Sequence, residues 1–201
     1  MQKFHSVKSS VIPVPLADVD TDMIIPAQYL TSVSREGYAE NLFRRLKDSD
    51  KNFPMNKPEY SACKILLAGD NFGCGSSREH AVWAILGAGI QVVISTSFAD
   101  IFSSNSGKNG LVLAVVKPDE LKEIFEATKD LSQQLEIDLK EQCVTLPNGK
   151  KVSFPFDPFR KHCILEGLDD LDYLLSKKDA IDEFRKHQAP TRFFSSDKPN
   201  N

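Results

Sequence analysis

The chain has 201 residues, with 25 Lys and Arg against 28 Asp and Glu and a formal net charge of −3, a near balance that excludes a broadly basic nucleic-acid binder. Its hydrophobic content of 41% is ordinary for a globular domain, and a chain of this length buries a core without needing disulfides. Every apolar run falls far short of the roughly 20 residues that cross a bilayer, and the polar stretch Met1 to Ser10 lacks a secretion signal's apolar core, so a soluble cytoplasmic protein with no nucleic-acid or membrane partner is expected.

In chain order, Lys47 to Pro58 holds charged residues, Asn and two prolines, and reads as a long surface loop. Ile65 to Gly69, Gln91 to Ile94 and Leu111 to Val116 are continuous apolar runs, the form taken by strands buried on both faces. Helical stretches separate or follow them at Ser77 to Gly87, Phe98 to Ser106 and Pro118 to Lys129, the last opening on Pro118, Asp119 and Glu120. Leu135 to Leu139 alternates strictly, and Cys143 to Leu146 turns through Asn148-Gly149 into Val152 to Phe154, a hairpin signal. Helical patterning returns from Asp157 to Gln188. These elements predict one compact α/β domain over residues 1–188, a mixed sheet with covering helices, followed by a C-terminal tail over 189–201. Within that tail Arg192, Phe193 and Phe194 are apolar and basic enough to dock on a surface.

The chemistry concentrates in Gly69-Asp-Asn-Phe-Gly-Cys-Gly-Ser-Ser-Arg-Glu-His80, which follows a buried strand and is predicted to open a helix. Free backbone N–H groups at a helix start attract anions. Gly73 and Gly75 permit close approach to the backbone, Ser76 and Ser77 bring hydroxyls, and Arg78 brings a fork matched to a carboxylate or phosphate. The spacing fits neither a dinucleotide fingerprint nor a P-loop, and no G-x-S-x-G elbow is present. Cys74 and His80 lie across a loop and a helix and set no common geometry for a thiol nucleophile. Two readings of Ser76 stand side by side: the hydroxyl of an anion cradle, or the first residue of a Ser76-x-x-Glu79 capping box.

The run Asn71-Phe-Gly-Cys-Gly-Ser-Ser-Arg-Glu-His-Ala81 resembles the motif of the aconitase superfamily's swivelling domain, in the form carried by bacterial 3-isopropylmalate dehydratase small subunits. Three further blocks agree in order: Asp18-Val-Asp-Thr-Asp-Met-Ile-Ile-Pro-Ala-Gln-Tyr-Leu30, Ser97-Phe-Ala-Asp-Ile-Phe102 with Asn105, Asn109 and Gly110, and Asp157-Pro-Phe-Arg-Lys-His-Cys163 running to Gly167-Leu-Asp169. Gly107 and Leu113 depart from the family pattern, which bears on local helix packing.

The resemblance implies a swivelling-type α/β fold and a hydro-lyase that isomerises 2-isopropylmalate to 3-isopropylmalate in leucine biosynthesis. It implies Ser76 as the base, Ser77 and Arg78 as carboxylate holders, Thr21 as a further substrate-binding residue, and Asp22 beside it as a catalytic aspartate. Asp22 also reads as a turn or cap carboxylate. The loop Pro26 to Val33, with Leu30, Thr31 and Ser32 as its substrate-binding residues, corresponds to the region that sets specificity, and the first arginine after the Asp-Thr-Asp block is Arg35, which favours an uncharged substituent such as isopropyl. A [4Fe-4S] cluster acts in this family as Lewis acid. Cys63, Cys74, Cys143 and Cys163 lack close ligand spacing, so no cofactor or metal is expected on this chain. The cluster is expected on a large subunit that pairs with it as a heterodimer around a small dicarboxylate substrate. Two rivals remain open: a related hydro-lyase acting on citraconate or dimethylmalate, and a carboxylate-binding module without catalysis.

Overall fold

Ser6–Ser9 (β1) and Val11–Val14 (β2) are separated by a single residue, Ser10, yet they enter different sheets in the computed structural model, which describes residues 1–30 and 35–187. β1 alternates exposed and buried side chains, whereas β2 is buried almost throughout. β2 pairs in parallel with Ile65–Ala68 (β3), which pairs with Val92–Ser95 (β4), which pairs with Val112–Val115 (β5). Pro13 has no N–H for a ladder, and it lies on the edge strand of this sheet.

β1 instead pairs antiparallel with Leu135–Asp138 (β6), followed by Cys143–Thr145 (β7) and Lys151–Ser153 (β8). The strands thus form two four-stranded sheets, one parallel and one antiparallel, rather than a single mixed one. The physical reason is the pattern. Alternating strands have one apolar face to bury, and they lay it on a parallel sheet whose continuous runs are apolar on both faces.

Side-chain alternation divides the core accordingly. Ile65, Leu67, Val92, Ile94, Val112 and Ala114 meet Ile137, Val144 and Val152 of the antiparallel sheet. Leu66, Ala68, Val93 and Leu113 point the other way, toward the helices Glu79–Gly87 (α3) and Asp100–Asn109 (α4), through Ala81, Ile85 and Phe102. The layers run sheet, sheet, helices. Gly107 on α4 is buried, and a Cβ there would come 3.2 Å from the Arg160 side chain, so the departure at Gly107 makes room for that arginine.

The stretch expected as a loop from Lys47 to Pro58 is largely ordered into short helices. Thr21–Ile24 (α1) and Arg44–Ser49 (α2) precede two 3-10 turns, Pro54–Asn56 and Pro58–Tyr60. Both prolines occupy the first turn position, where a missing N–H costs nothing, and Phe53 is buried in the core. Pro118–Ala127 (α5) follows β5 as expected. Asp157 accepts the Arg160 N–H at 2.8 Å and caps Pro158–Glu166 (α6), which ends on Gly167 at φ +74°.

The helical patterning beyond α6 is interrupted. Asp170–Ser176 (α7) and Lys178–His187 (α8) contact each other and form a unit separate from Met1–Asp169. The tail over 189–201, with Arg192, Phe193 and Phe194, lies outside the described residues. Among the described residues no helix is long and apolar enough to cross a membrane.

Candidate active site

β2 and β3 are parallel neighbours, so both release the chain at the same edge of the sheet, the carboxyl side where open α/β folds bind ligands. After β2 the chain runs through Asp18 and Asp20 into α1; after β3 it runs through Gly69 to Arg78. The two segments are stitched together by backbone bonds from Asp18 N–H to the Asp70 carbonyl (2.9 Å), Gly73 N–H to Val19 (2.7 Å) and Thr21 N–H to Cys74 (2.9 Å). Gly73 is required twice over. Its φ is +81°, and a Cβ would stand 2.3 Å from the Phe102 ring. The loop after β4 supports the same run: the Asp70 carboxylate accepts the Thr96 and Ser97 hydroxyls, each at 2.6 Å, and the Asn71 N–H donates to Ser97 Oγ at 2.9 Å. The Ser97 hydroxyl, and then that of Thr96, holds the Asp70 carboxyl below its ordinary range.

Ser76 is exposed at the outer end of this run, and Thr21, buried in α1, faces it. Thr21 Oγ1 donates to the Ser76 carbonyl at 2.9 Å and lies 3.1 Å from the Ser76 hydroxyl. The capping-box reading of Ser76 is overturned. α3 begins at Glu79, its N-cap position is Arg78, and Glu79 accepts a hydrogen bond from Asn109 Nδ2 at 2.7 Å instead of reaching back to Ser76. Helix formation therefore starts later than the predicted Ser77, because the bonds to α1 hold Cys74 and Ser76 away from the helix.

Arg78 turns toward α1. Its Nη1 donates to Asp22 Oδ1 at 2.8 Å and lies 3.4 Å from the Ile25 carbonyl. Asp22 Oδ1 also accepts the Ala27 N–H at 3.0 Å, while Oδ2 is held by Arg45 on α2. The Arg78 bond is the largest influence that keeps the Asp22 carboxyl below its usual range, followed by the Ala27 N–H; burial opposes them and Arg45 adds a further downward pull. The cap role belongs to Asp20, whose Oδ1 accepts the Met23 N–H at 2.6 Å. Asp22 is thus free to join the turn after α1 to the Ser-Ser-Arg run.

The model of the aconitase C-terminal domain matches residues 1–119. The 3-isopropylmalate dehydratase small subunit of Francisella tularensis subsp. novicida is 50% identical over 188 residues, covering 94% of this chain and 99% of that protein. The chain belongs to the 3-isopropylmalate dehydratase small-subunit family. A second member, from Afipia carboxidovorans, is 48% identical over 198 residues, with 96% of this chain and 98% of that one covered. Among solved structures, the 3-isopropylmalate dehydratase of Methanocaldococcus jannaschii is similar at a TM-score of 0.66 and 32% identity, over 89% of this chain and 99% of that one.

In this family member, direct hydrogen bonds join Thr21 to Ser76 and Asp22 to Arg78, and Ser77 stands exposed between Ser76 and Arg78. Leu30 packs against the hydrophobic core at the end of a 3-10 turn, Ala27–Tyr29. Thr31 and Ser32 lie outside the described residues. Arg35 is drawn to an aromatic face, with its guanidinium 5.4 Å from the Trp83 ring centre. Sequence reasoning missed Arg45. It sits on a six-residue helix with no motif around it, and only the packing of α2 beside α1 brings it to Asp22.

An iron–sulfur cluster needs several converging thiolates. Cys63 before β3, Cys143 on β7 and Cys163 on α6 are all buried, and burial pushes the thiols of Cys63 and Cys74 up, away from the ligating form. Among the described residues no three His, Cys, Asp or Glu side chains converge. The described residues of this chain do not fit such a cluster.

Proposed function

We propose that this chain works with a large-subunit partner to isomerise 2-isopropylmalate to 3-isopropylmalate, by removing water and returning it the other way round, as a cytoplasmic step of leucine biosynthesis. The observation that carries the reading is the Ser76-Ser77-Arg78 run, two exposed serines and a half-buried arginine, with its first hydroxyl bonded to Thr21 and its guanidinium bonded to Asp22.

Ser76 Oγ takes the proton from the carbon beside a substrate carboxylate. The C–H electron pair becomes the double bond as the hydroxyl leaves the neighbouring carbon with its bonding pair and, taking up a proton, departs as water. A serine hydroxyl is a weak base, so its deprotonated oxygen needs a preorganised donor, and Thr21 Oγ1 at 3.1 Å is placed to be one. Arg78 commits Nη1 to Asp22 and offers the rest of its fork, with the Ser77 hydroxyl, to a carboxylate. Leu30, Thr31 and Ser32 take the isopropyl side. A [4Fe-4S] cluster on the large subunit would supply the Lewis acid.

The test is turnover by the reconstituted, cluster-loaded pair against 2-isopropylmalate, citraconate and citrate, with the chain alone as control. Fastest turnover of 2-isopropylmalate by the pair, and none by the chain alone, is expected. A preference for citrate or citraconate would replace the reading with that of a related hydro-lyase.

A further inference from the structure

Asp22 has two carboxylate oxygens, and the structure gives them to different arginines. Arg78 Nη1 is on Oδ1 at 2.8 Å, and Arg45 Nη1 is on Oδ2. A carboxylate facing one arginine tends to take it as a fork, two parallel N–H bonds at once. That arrangement would neutralise Arg78 and turn its second nitrogen inward. Arg45 occupies the oxygen that the fork would use. It also changes the sum of charge: an Arg78–Asp22 pair is neutral, whereas Arg45, Asp22 and Arg78 together carry one positive charge.

The core, not the surface, puts Arg45 there. Phe43, fully buried and in the left-handed region at φ +52°, donates its N–H to the Ile24 carbonyl at 2.8 Å and so fixes the start of α2 against the end of α1. Its ring lies 6.5 Å from that of Phe72, inside the Gly69 to Arg78 run. Arg45 follows two residues later with its side chain 61% exposed, so nothing in the hydrophobic core depends on the guanidinium itself.

We infer that Arg45 is a positioning residue that holds the second oxygen of Asp22, so that Arg78 stays singly bonded and the carboxylate-binding end of the site stays cationic. The inference rests on the carboxylate-holding role proposed for Arg78. Arg45 touches neither substrate nor the reacting atoms in this scheme; it acts through Asp22.

The test compares Arg45→Gln, Arg45→Lys and Arg44→Gln in the reconstituted pair with 2-isopropylmalate, and follows the Asp22 carboxyl by NMR titration in the full-length chain. Arg44 is the control, since it pairs with Asp48 at 2.9 Å on the same helix. Asp22 is faced by Arg78, Arg45 and the Ala27 N–H. Arg45→Gln is expected to raise KM about two- to fivefold, the modest range of an exposed charge, while changing kcat much less, and the rise shrinks at high salt. Arg45→Lys restores most of the affinity and Arg44→Gln changes nothing. In the titration Arg45→Gln moves Asp22 upward from its wild-type position. An unmoved Asp22, or a moved Asp22 with unchanged KM, overturns the inference. If the wild-type pair leaves 2-isopropylmalate untouched, the proposed reaction has failed, and the Asp22 titration alone then decides whether Arg45 holds that carboxylate.

Discussion

Thr21 Oγ1 holds both ends of Ser76, lying 2.9 Å from its carbonyl oxygen and 3.1 Å from its hydroxyl. The two residues are 55 positions apart, one buried and one exposed. Thr21 has one proton to give. While it donates to the carbonyl, the Ser76 hydroxyl can donate to Thr21. Once Ser76 loses its proton, the threonine hydroxyl can turn and donate to the oxygen left behind. Thr21→Val removes that donor and keeps the shape. A hydrogen bond to a charged group contributes about 1.5–3 kcal/mol, so kcat is expected to fall about tenfold or more in the reconstituted pair. Thr21→Ser keeps the hydroxyl and most of the rate. Equal kcat in Thr21→Val and wild type would make the contact purely structural.

Ser76→Ala separates chemistry from folding more cleanly than the capping-box reading allowed. Because Ser76 caps no helix, its removal forgoes the usual capping loss of about 1 kcal/mol, and thermal melting should move little. As the base it is worth roughly 10²–10⁴-fold in kcat. Ser77→Ala keeps the base and removes a carboxylate contact, so KM suffers more than kcat. Steady-state kinetics of both variants check this. A Ser76→Ala enzyme that keeps more than about a tenth of wild-type kcat is incompatible with general-base catalysis by this residue.

The lowered Asp22 carboxyl makes a signed prediction for stability. Its ionised form is favoured by folding, first through Arg78 and then through the Ala27 N–H. The stabilisation is fully present above the ordinary carboxylate value and disappears as pH falls through the lowered folded value. Denaturant unfolding of wild type and Asp22→Asn should therefore differ most near neutral pH and converge in strong acid. A difference that stays constant across that range would mean the ion pairs contribute nothing.

Gly73→Ala should damage the fold before it touches the chemistry. The new methyl would sit 2.3 Å from the Phe102 ring, on a backbone at φ +81°. Strain of about 1–2 kcal/mol for the left-handed conformation adds to roughly 1–3 kcal/mol for overpacking. Gly149→Ala is the comparison: its φ is +84° but nothing lies within 4 Å, so it carries the backbone strain alone. Thermal melting of the two variants measures the difference.

The strands at Ile65, Val92 and Val112 were legible in the sequence because burial on both faces leaves a local mark, a continuous apolar run. The hairpin at Asn148-Gly149 was legible because a turn is chosen by its own residues. The Ser76-Ser77-Arg78 run stood out as a candidate because hydroxyls and a guanidinium directly after two closely spaced glycines have few purely structural uses together. Family resemblance could add Asp22 and Thr21, but not what they bond. Glu79 illustrates the limit: three residues from Ser76, it satisfies a capping spacing, yet it bonds Asn109, 30 positions away. Ser10 is another: β1 alternates and β2 does not, but that the chain changes sheets at this one residue follows only from their distant partners, β6 and β3. Arg45 is the clearest. Its charge is written in the chain, but its partner is set by Phe43, whose buried ring and N–H dock α2 on α1. Local pattern determines which segments are strands, turns and reactive groups; only the packing of segments far apart in sequence decides which charges and hydroxyls meet, because hydrogen bonds and ion pairs act over a few ångströms in space, whatever the separation along the chain.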